Sequence, residues 1–227
     1  MHIYAIGDLH LSFSQDKPMD VFGESWRGHT ERLESAWRET VGAEDLVLIP
    51  GDISWAMQLS AASPDLSFIG NLPGVKLLLR GNHDYWWSSV TRVRASLPSG
   101  VFALQNDAFS FGDVCVCGTR GWTCPGSAAF DAQDEKIYLR ELQRLSLSLS
   151  KAEPGRMLIA MTHYPPFSEK RRTSGFTELL ENAGCRLAVY GHLHGAAHRT
   201  AFEGEQNGVA YRCVAADYLR FVPSRLV

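Results

Sequence analysis

Five short apolar runs, at residues 3–6, 46–49, 75–79, 157–161 and 187–190, are continuous rather than alternating in hydrophobicity. A strand with one face in water alternates; a continuous run demands burial on both faces, as in a parallel sheet covered by helices. Helical patterns at residues 29–41, 85–97, 134–152 and 177–183 punctuate the runs. The last of these has a start at Ser174 and a stop at Gly184, because glycine takes up the left-handed conformation that closes a helix. Strands and helices in this order predict an α/β fold.

Residues 101–104, 109–118 and 210–215 read as further strands with no helical pattern between them. That predicts antiparallel pairing, with Gly112 and Asp113 as a hairpin turn. A mixed sheet, or two stacked sheets with helices outside, accommodates both sets. Segments 12–28 and 121–132, with their Gly, Pro and aromatic residues, read as loops over a site. The 227 residues carry no repeat, heptad or linker, and a single domain over residues 1–227 is expected.

Composition narrows the class further. With 45% hydrophobic and 21% charged residues, collagen-like, disordered and disulfide-scaffold classes are excluded. A net charge of −3 leaves no basic footprint, so nucleic acid is not favoured as a partner. No run approaches the roughly 20 apolar residues that span a bilayer. A first strand at residue 3 predicts no cleavable signal sequence and a cytoplasmic location. Five cysteines without such a signal predict no disulfide framework; Cys115 and Cys117, two apart in a strand, read as small core residues.

Each of the five main runs is followed by a polar cluster: Asp8/His10, Asp52, Asn82/His83/Asp84, His163 and His192/His194. Loops leaving the carboxyl ends of strands in an open α/β sheet converge on one crevice. Singly, each cluster has an ordinary explanation, such as a turn aspartate or a hydrogen-bonded core histidine. Together, with five of the eight histidines in the chain, they describe one site. Imidazole and carboxylate donors suit manganese, iron or zinc, and the absence of cysteine argues against a structural thiolate zinc site.

In this order, Asp8/His10, Gly51/Asp52, Gly81/Asn82/His83/Asp84, His163 and Gly191/His192/His194, the motifs resemble those of the calcineurin-like metallophosphoesterases, from the first strand to near residue 194. The resemblance implies a four-layer αββα sandwich, with two mixed β-sheets flanked by helices, and two divalent transition-metal ions (Mn2+, Fe2+/Fe3+ or Zn2+). Asp8, His10, Asp52 and His194 would hold one ion, and Asp52, Asn82, His163 and His192 the other. His83 would be the catalytic acid, with Asp84 beside it holding the ring and favouring its protonated form. A phosphomonoester or phosphodiester would then be hydrolysed by in-line attack of a metal-bridging hydroxide.

Arg80 is a candidate phosphate clamp, since guanidinium matches phosphate oxygens, and the Arg-Gly-Asn-His run is similar to one in the serine/threonine protein phosphatase branch. That branch has Asp-Arg-Gly shortly after the bridging aspartate, whereas this chain reads Asp52-Ile53-Ser54-Trp55-Ala56. A smaller bacterial phosphohydrolase type is the nearer resemblance, and its substrate is not set by the motif. Aromatics at Trp55, Tyr85, Trp86, Trp87, Trp122 and Tyr164 offer either a wall for a nucleobase or other leaving group, or plain core packing. Trp26, His29 and Arg32 share one helical face, which puts His29 in reach of substrate if that face looks into the crevice. The expected partner is a small phosphorylated substrate, nucleotide-like ones included, and the oligomeric state is open. The competing reading is a catalytically idle sandwich that binds a protein partner through its metal face.

Overall fold

The computed structural model describes residues 1–128, 130–170 and 173–227; Ala129, within the expected loop 121–132, lies outside them. Four parallel strands, β1 (Ile3–Ala5), β2 (Leu46–Pro50), β3 (Val75–Leu79) and β4 (Val101–Leu104), lie side by side in sequence order. A second sheet holds β5 (Ala108–Phe111), β6 (Val114–Thr119), β7 (Met157–Thr162), β8 (Leu187–Tyr190), β9 (Gly204–Gln206) and β10 (Val209–Cys213), in the order β5-β6-β7-β8-β10-β9. The short β11 (Ser224–Arg225) returns antiparallel to β1 and covers the edge of the first sheet. Both sheets are therefore mixed.

The continuous apolar runs follow from a sandwich with helices outside both sheets. Successive strand residues point to opposite faces, so Ile3, Ala5, Leu46 and Leu48 pack inward against Val116, Ile159 and Val189 of the second sheet. Their neighbours Tyr4, Ile6, Val47 and Ile49 pack outward against Leu33 and Trp37 of α1 (His29–Thr40). The same outer face carries α2 (Ser63–Asn71) and α3 (Val90–Ser96). On the far side, Tyr138 and Leu145 of α4 (Ala132–Leu149), with Phe176 and Leu180 of α5 (Gly175–Asn182), cover the second sheet. Each fully buried Leu or Ile contributes about 1.5–3 kcal/mol. The fold is the expected αββα sandwich. Among the described residues no helix is long and apolar enough to cross a membrane.

Three expectations are corrected. β4 runs parallel to β3, β6 parallel to β7 and β10 parallel to β8; of the expected antiparallel set, the β5–β6 hairpin, turning at Gly112 and Asp113, and the outer side of β10, against β9, pair that way. The reason is connectivity, because α3 and α4 carry the chain back across the sheets before β4 and β7, which makes the neighbours parallel. The helix expected over 85–97 begins only at Val90, since Trp86 and Trp87 are drawn into the core in irregular conformation and the Trp86 indole donates to Asp84. Helix α2 was not expected; its start signals are Asp65 and Pro64 in the first turn, the latter at a position where a missing N–H does no harm.

Candidate metal centre

The loops that leave β1, β2, β3, β7 and β8 meet at one end of the sandwich. They approach so closely that two glycines have no space for a side chain: a methyl group on Gly81 would run into the carboxylate and amide of Asp52, and one on Gly191 into the carboxylate of Asp8. Gly51, at φ +95°, would place a Cβ 2.7 Å from both the Gly81 Cα and His163 Nδ1. Four of the non-glycine residues at positive φ are site residues, Asp8 (56°), His10 (47°), Asp52 (50°) and His192 (71°). Such conformations cost about 1–3 kcal/mol each and persist where surrounding structure enforces them. The enforcement is visible here: Asp8 N–H donates to Gly51 O (2.9 Å) and His10 N–H to Asp52 O (3.0 Å).

All seven expected donors are brought together. Ligand atoms of Asp8, His10 and His194 lie within 4.8 Å of one another, as do those of Asp8, Asp52 and His163. Asp8 thus belongs to both trios. Asp52 Oδ2 also faces both sides, 3.8 Å from His10 Nε2 and 3.6 Å from His163 Nε2. Asn82 Oδ1 sits 2.6 Å from His163 Nε2, and His192 Nδ1 lies 3.2 Å from that same nitrogen.

These contacts fit a cation. His163 Nδ1–H donates to the Pro50 carbonyl at 3.0 Å, so the neutral ring turns the lone pair of Nε2 toward the Asn82 oxygen. With the amide oxygen inward, two lone pairs meet at a distance that a cation between them would satisfy. A second proton on the ring is disfavoured, because burial holds His163 below the usual histidine value. His192 is held down to about 3 by burial and then by His163. Burial alone would raise Asp8, but His194 outweighs it by hydrogen bond and charge, and His163 and His10 add to it, bringing Asp8 down to about 2. Burial and then the Asp8 charge push Asp52 up to about 7. Two carboxylates, an amide oxygen and four imidazoles form a donor set suited to manganese, iron or zinc.

Asp217 escaped the sequence reading. Its buried carboxylate accepts from His194 Nδ1 at 2.9 Å, from Gly195 N at 3.2 Å and faces His198 Nε2 at 3.2 Å. That leaves His194 Nε2 turned to Asp8, 3.6 Å away. Burial disfavours a charged His194, yet the hydrogen bonds from Asp217 and Asp8 raise it to about 10.

The expected pairing of His83 with Asp84 is corrected. Asp84 faces away from the His83 ring and accepts from Ile53 N (2.9 Å), Ser54 N (3.1 Å), Gly81 N (2.7 Å) and Trp86 Nε1 (2.9 Å). It ties the β2 and β3 loops together. His83 Nδ1 is buried with no hydrogen-bond partner among the described residues, while its backbone N–H donates to Asp52 Oδ1 (2.8 Å). Burial, then the charges of His163 and Lys17, lower the His83 pKa.

The residues expected to touch substrate are dispersed. Trp55 stacks on His10 (centroids 4.8 Å, 21°) and lies 4.6 Å from the His83 ring. With Met19, Phe22 and Trp26 it lines a cavity of about 260 Å3 that opens onto His10, His83 and His194, so segment 12–28 does cover the site. His29 is not in that cavity; it packs behind Trp26 (5.3 Å) and against Phe221 (5.7 Å). Arg80 lines a separate cavity on the side of β4 and β6. Trp86 and Trp87 belong to the core, whereas Tyr164 packs 4.0 Å from His192.

A family model described as calcineurin-like phosphoesterase matches residues 1–196. Gene 66 protein of Mycobacterium phage D29 is 36% identical over 88 residues, covering 37% of this chain and 40% of that relative's length. Among solved structures, a phosphopantetheinyl hydrolase from Mycobacterium tuberculosis matches 100% of this chain and 95% of its own at 12% identity, with a TM-score of 0.60. A protein of unknown function from Aquifex aeolicus matches 99% and 95% at 14% identity, with a TM-score of 0.53. At these identities the two structures are likenesses of fold alone.

Proposed function

The chain belongs to the calcineurin-like phosphoesterase family, and from that premise we propose that it is a dinuclear enzyme hydrolysing a small phosphomonoester or phosphodiester. In general terms it is a metal-dependent phosphoesterase. The observation that carries the finer reading is the convergence of seven donors about Asp52, whose Oδ2 faces His10 on one side and His163 on the other, beside a histidine that opens onto a cavity. Asp8, His10, Asp52 and His194 would hold one ion, with Asp52, Asn82, His163 and His192 holding the other. When bound, such ions polarise phosphate oxygens and acidify a water to serve as nucleophile.

The chain's own groups account for the rest. Asp217 holds His194 in the tautomer that presents Nε2 to the centre. Asp52 Oδ1 accepts from the His83 N–H and so fixes the backbone there. His83 serves as the general acid that protonates the leaving alkoxide oxygen. Its lowered pKa rises again when a phosphate anion lies next to it, because a neighbouring negative charge favours imidazolium. The wall of Trp26, Trp55 and Met19 receives the organic group of the ester and keeps water from that side; a planar group, a nucleobase among them, suits it. Arg80 meets an anionic part of the substrate. His29, packed behind Trp26, supports that wall rather than touching substrate.

The test is hydrolysis of p-nitrophenyl phosphate and bis-p-nitrophenyl phosphate by the metal-loaded protein. Asp52→Asn should abolish turnover, and His83→Ala should lower kcat by about 10²–10⁴-fold while metal content stays unchanged. Turnover indifferent to both substitutions and to chelation contradicts the proposal.

A further inference from the structure

The cavity beside Arg80 holds more positive charge than the single contact assigned to Arg80 accounts for. It measures about 240 Å3 and is bordered by Arg80 after β3, by Arg120 after β6, and by Arg144 and Glu141 on α4. The lining therefore carries three guanidinium groups and one carboxylate. That carboxylate is fully engaged: Glu141 Oε2 accepts from Thr119 Oγ1 (2.6 Å), and Oε1 accepts from Arg144 Nη1 (2.6 Å) and Arg120 Nη2 (3.4 Å). Glu141 is thus paired with the other two arginines, and Arg80 has no ion pair among the described residues. The Nε atoms of both Arg80 and Arg120 are buried without a hydrogen-bond partner, an unfavourable state for a charged donor unless an anion completes it.

Two of the cavity's arginines are tied to the metal centre through the backbone. Arg80 stands two residues before Asn82, and the Arg120 carbonyl accepts the N–H groups of His163 (3.0 Å) and Tyr164 (2.9 Å). The Arg120 guanidinium lies over the Trp122 ring at 4.7 Å, which orients it and leaves its edge free for oxygen acceptors. Guanidinium forks match the oxygens of phosphate and carboxylate. We propose that this cavity binds a second anionic group, a phosphate or carboxylate, carried by the same molecule whose phosphoester lies at the metal centre. The enzyme's substrate class is then a phosphoester bearing two anionic ends. This deepens the proposed function and rests on it only for the identity of the first phosphate.

The test reads binding, so that it remains informative even if no phosphoester is turned over. The unfolding midpoint of the metal-loaded full chain is titrated with glucose 1-phosphate, glucose 1,6-bisphosphate and sodium sulfate at constant ionic strength, for wild type, Arg120→Gln and Arg144→Gln. Arg144 is half-exposed on α4, so its variant keeps the test open if Arg120→Gln disturbs folding. The bisphosphate should bind wild type about tenfold or more tighter than the monophosphate, as expected for added charge-assisted hydrogen bonds, and the advantage should shrink severalfold in each variant. Equal affinities in wild type, or an advantage that survives both substitutions, would overturn the proposal. Stabilisation by sulfate with no bisphosphate advantage would assign the cavity to a free inorganic anion and would overturn it equally. Failure of p-nitrophenyl phosphate hydrolysis with the bisphosphate advantage intact would sink the reaction and leave the subsite standing.

Discussion

His83 and Asp84 are neighbours in sequence that do different work. Asp84 accepts three backbone N–H groups from two loops; an alanine there strands them at a cost of about 1–3 kcal/mol each. Asp84→Ala should therefore lower the midpoint of unfolding by roughly 6–36 °C, at about 2–4 °C per kcal/mol for a chain this size, and activity should fall with it. His83→Ala should leave the midpoint within a degree or two and remove activity alone, a contrast that differential scanning calorimetry beside an activity assay resolves. Asp217 acts through His194. Asp217→Ala should weaken metal binding by about 10–100-fold, seen by competition with a chelator of known affinity. Metal uptake should also release protons: without metal, His194 holds its proton up to about 10 and Asp52 up to about 7, and both must give it up to a cation. Apparent affinity should accordingly rise with pH between 6 and 8, measurable as proton release in buffers of different ionisation enthalpy; a pH-independent affinity would contradict this ligand assignment.

Among the elements, the strands were legible because burial on both faces leaves a continuous apolar run, and all five main runs became strands. Strand direction was not legible in that way. It is set by where the chain crosses back; the helical pattern at 85–97, of which α3 (Val90–Ser96) fills the second half, stood before β4 without by itself fixing the direction of the strand that follows. The candidate donors were legible because each follows a strand and a short polar turn. The glycines before them supplied a second signal that has a steric cause: Gly81 and Gly191 sit against the carboxylates of Asp52 and Asp8. Gly81→Ala should therefore displace Asp52 and reduce metal content in purified protein, even though its φ is ordinary. Asp217 had no comparable signal, being a lone aspartate 23 positions from the histidine it holds and outside the stretch matched by the family model. Its partner became evident only once β10 and the following turn brought residues 215–217 back beside the β1 end, where Gly7 bridges Ala215.

At the scale of the molecule, two sheets share one inner core, and the loops at one end of the sandwich form a small, strained, donor-rich site. Four site residues held at positive φ, each costing about 1–3 kcal/mol, are affordable because the sandwich behind them is densely buried. An aromatic cavity opens onto His83, and a second, lined by Arg80, Arg120 and Arg144, lies on the side of β4 and β6. A protein using this face only to bind a partner would have no need of seven converging donors. The direct measurement is elemental analysis of protein reconstituted with manganese, iron or zinc, taken together with phosphodiesterase and phosphatase rates as a chelator withdraws the ions. The account predicts two ions per chain and activity that falls with their loss and returns on their readdition. Fewer than one ion per chain, or full turnover in metal-free protein, would contradict it.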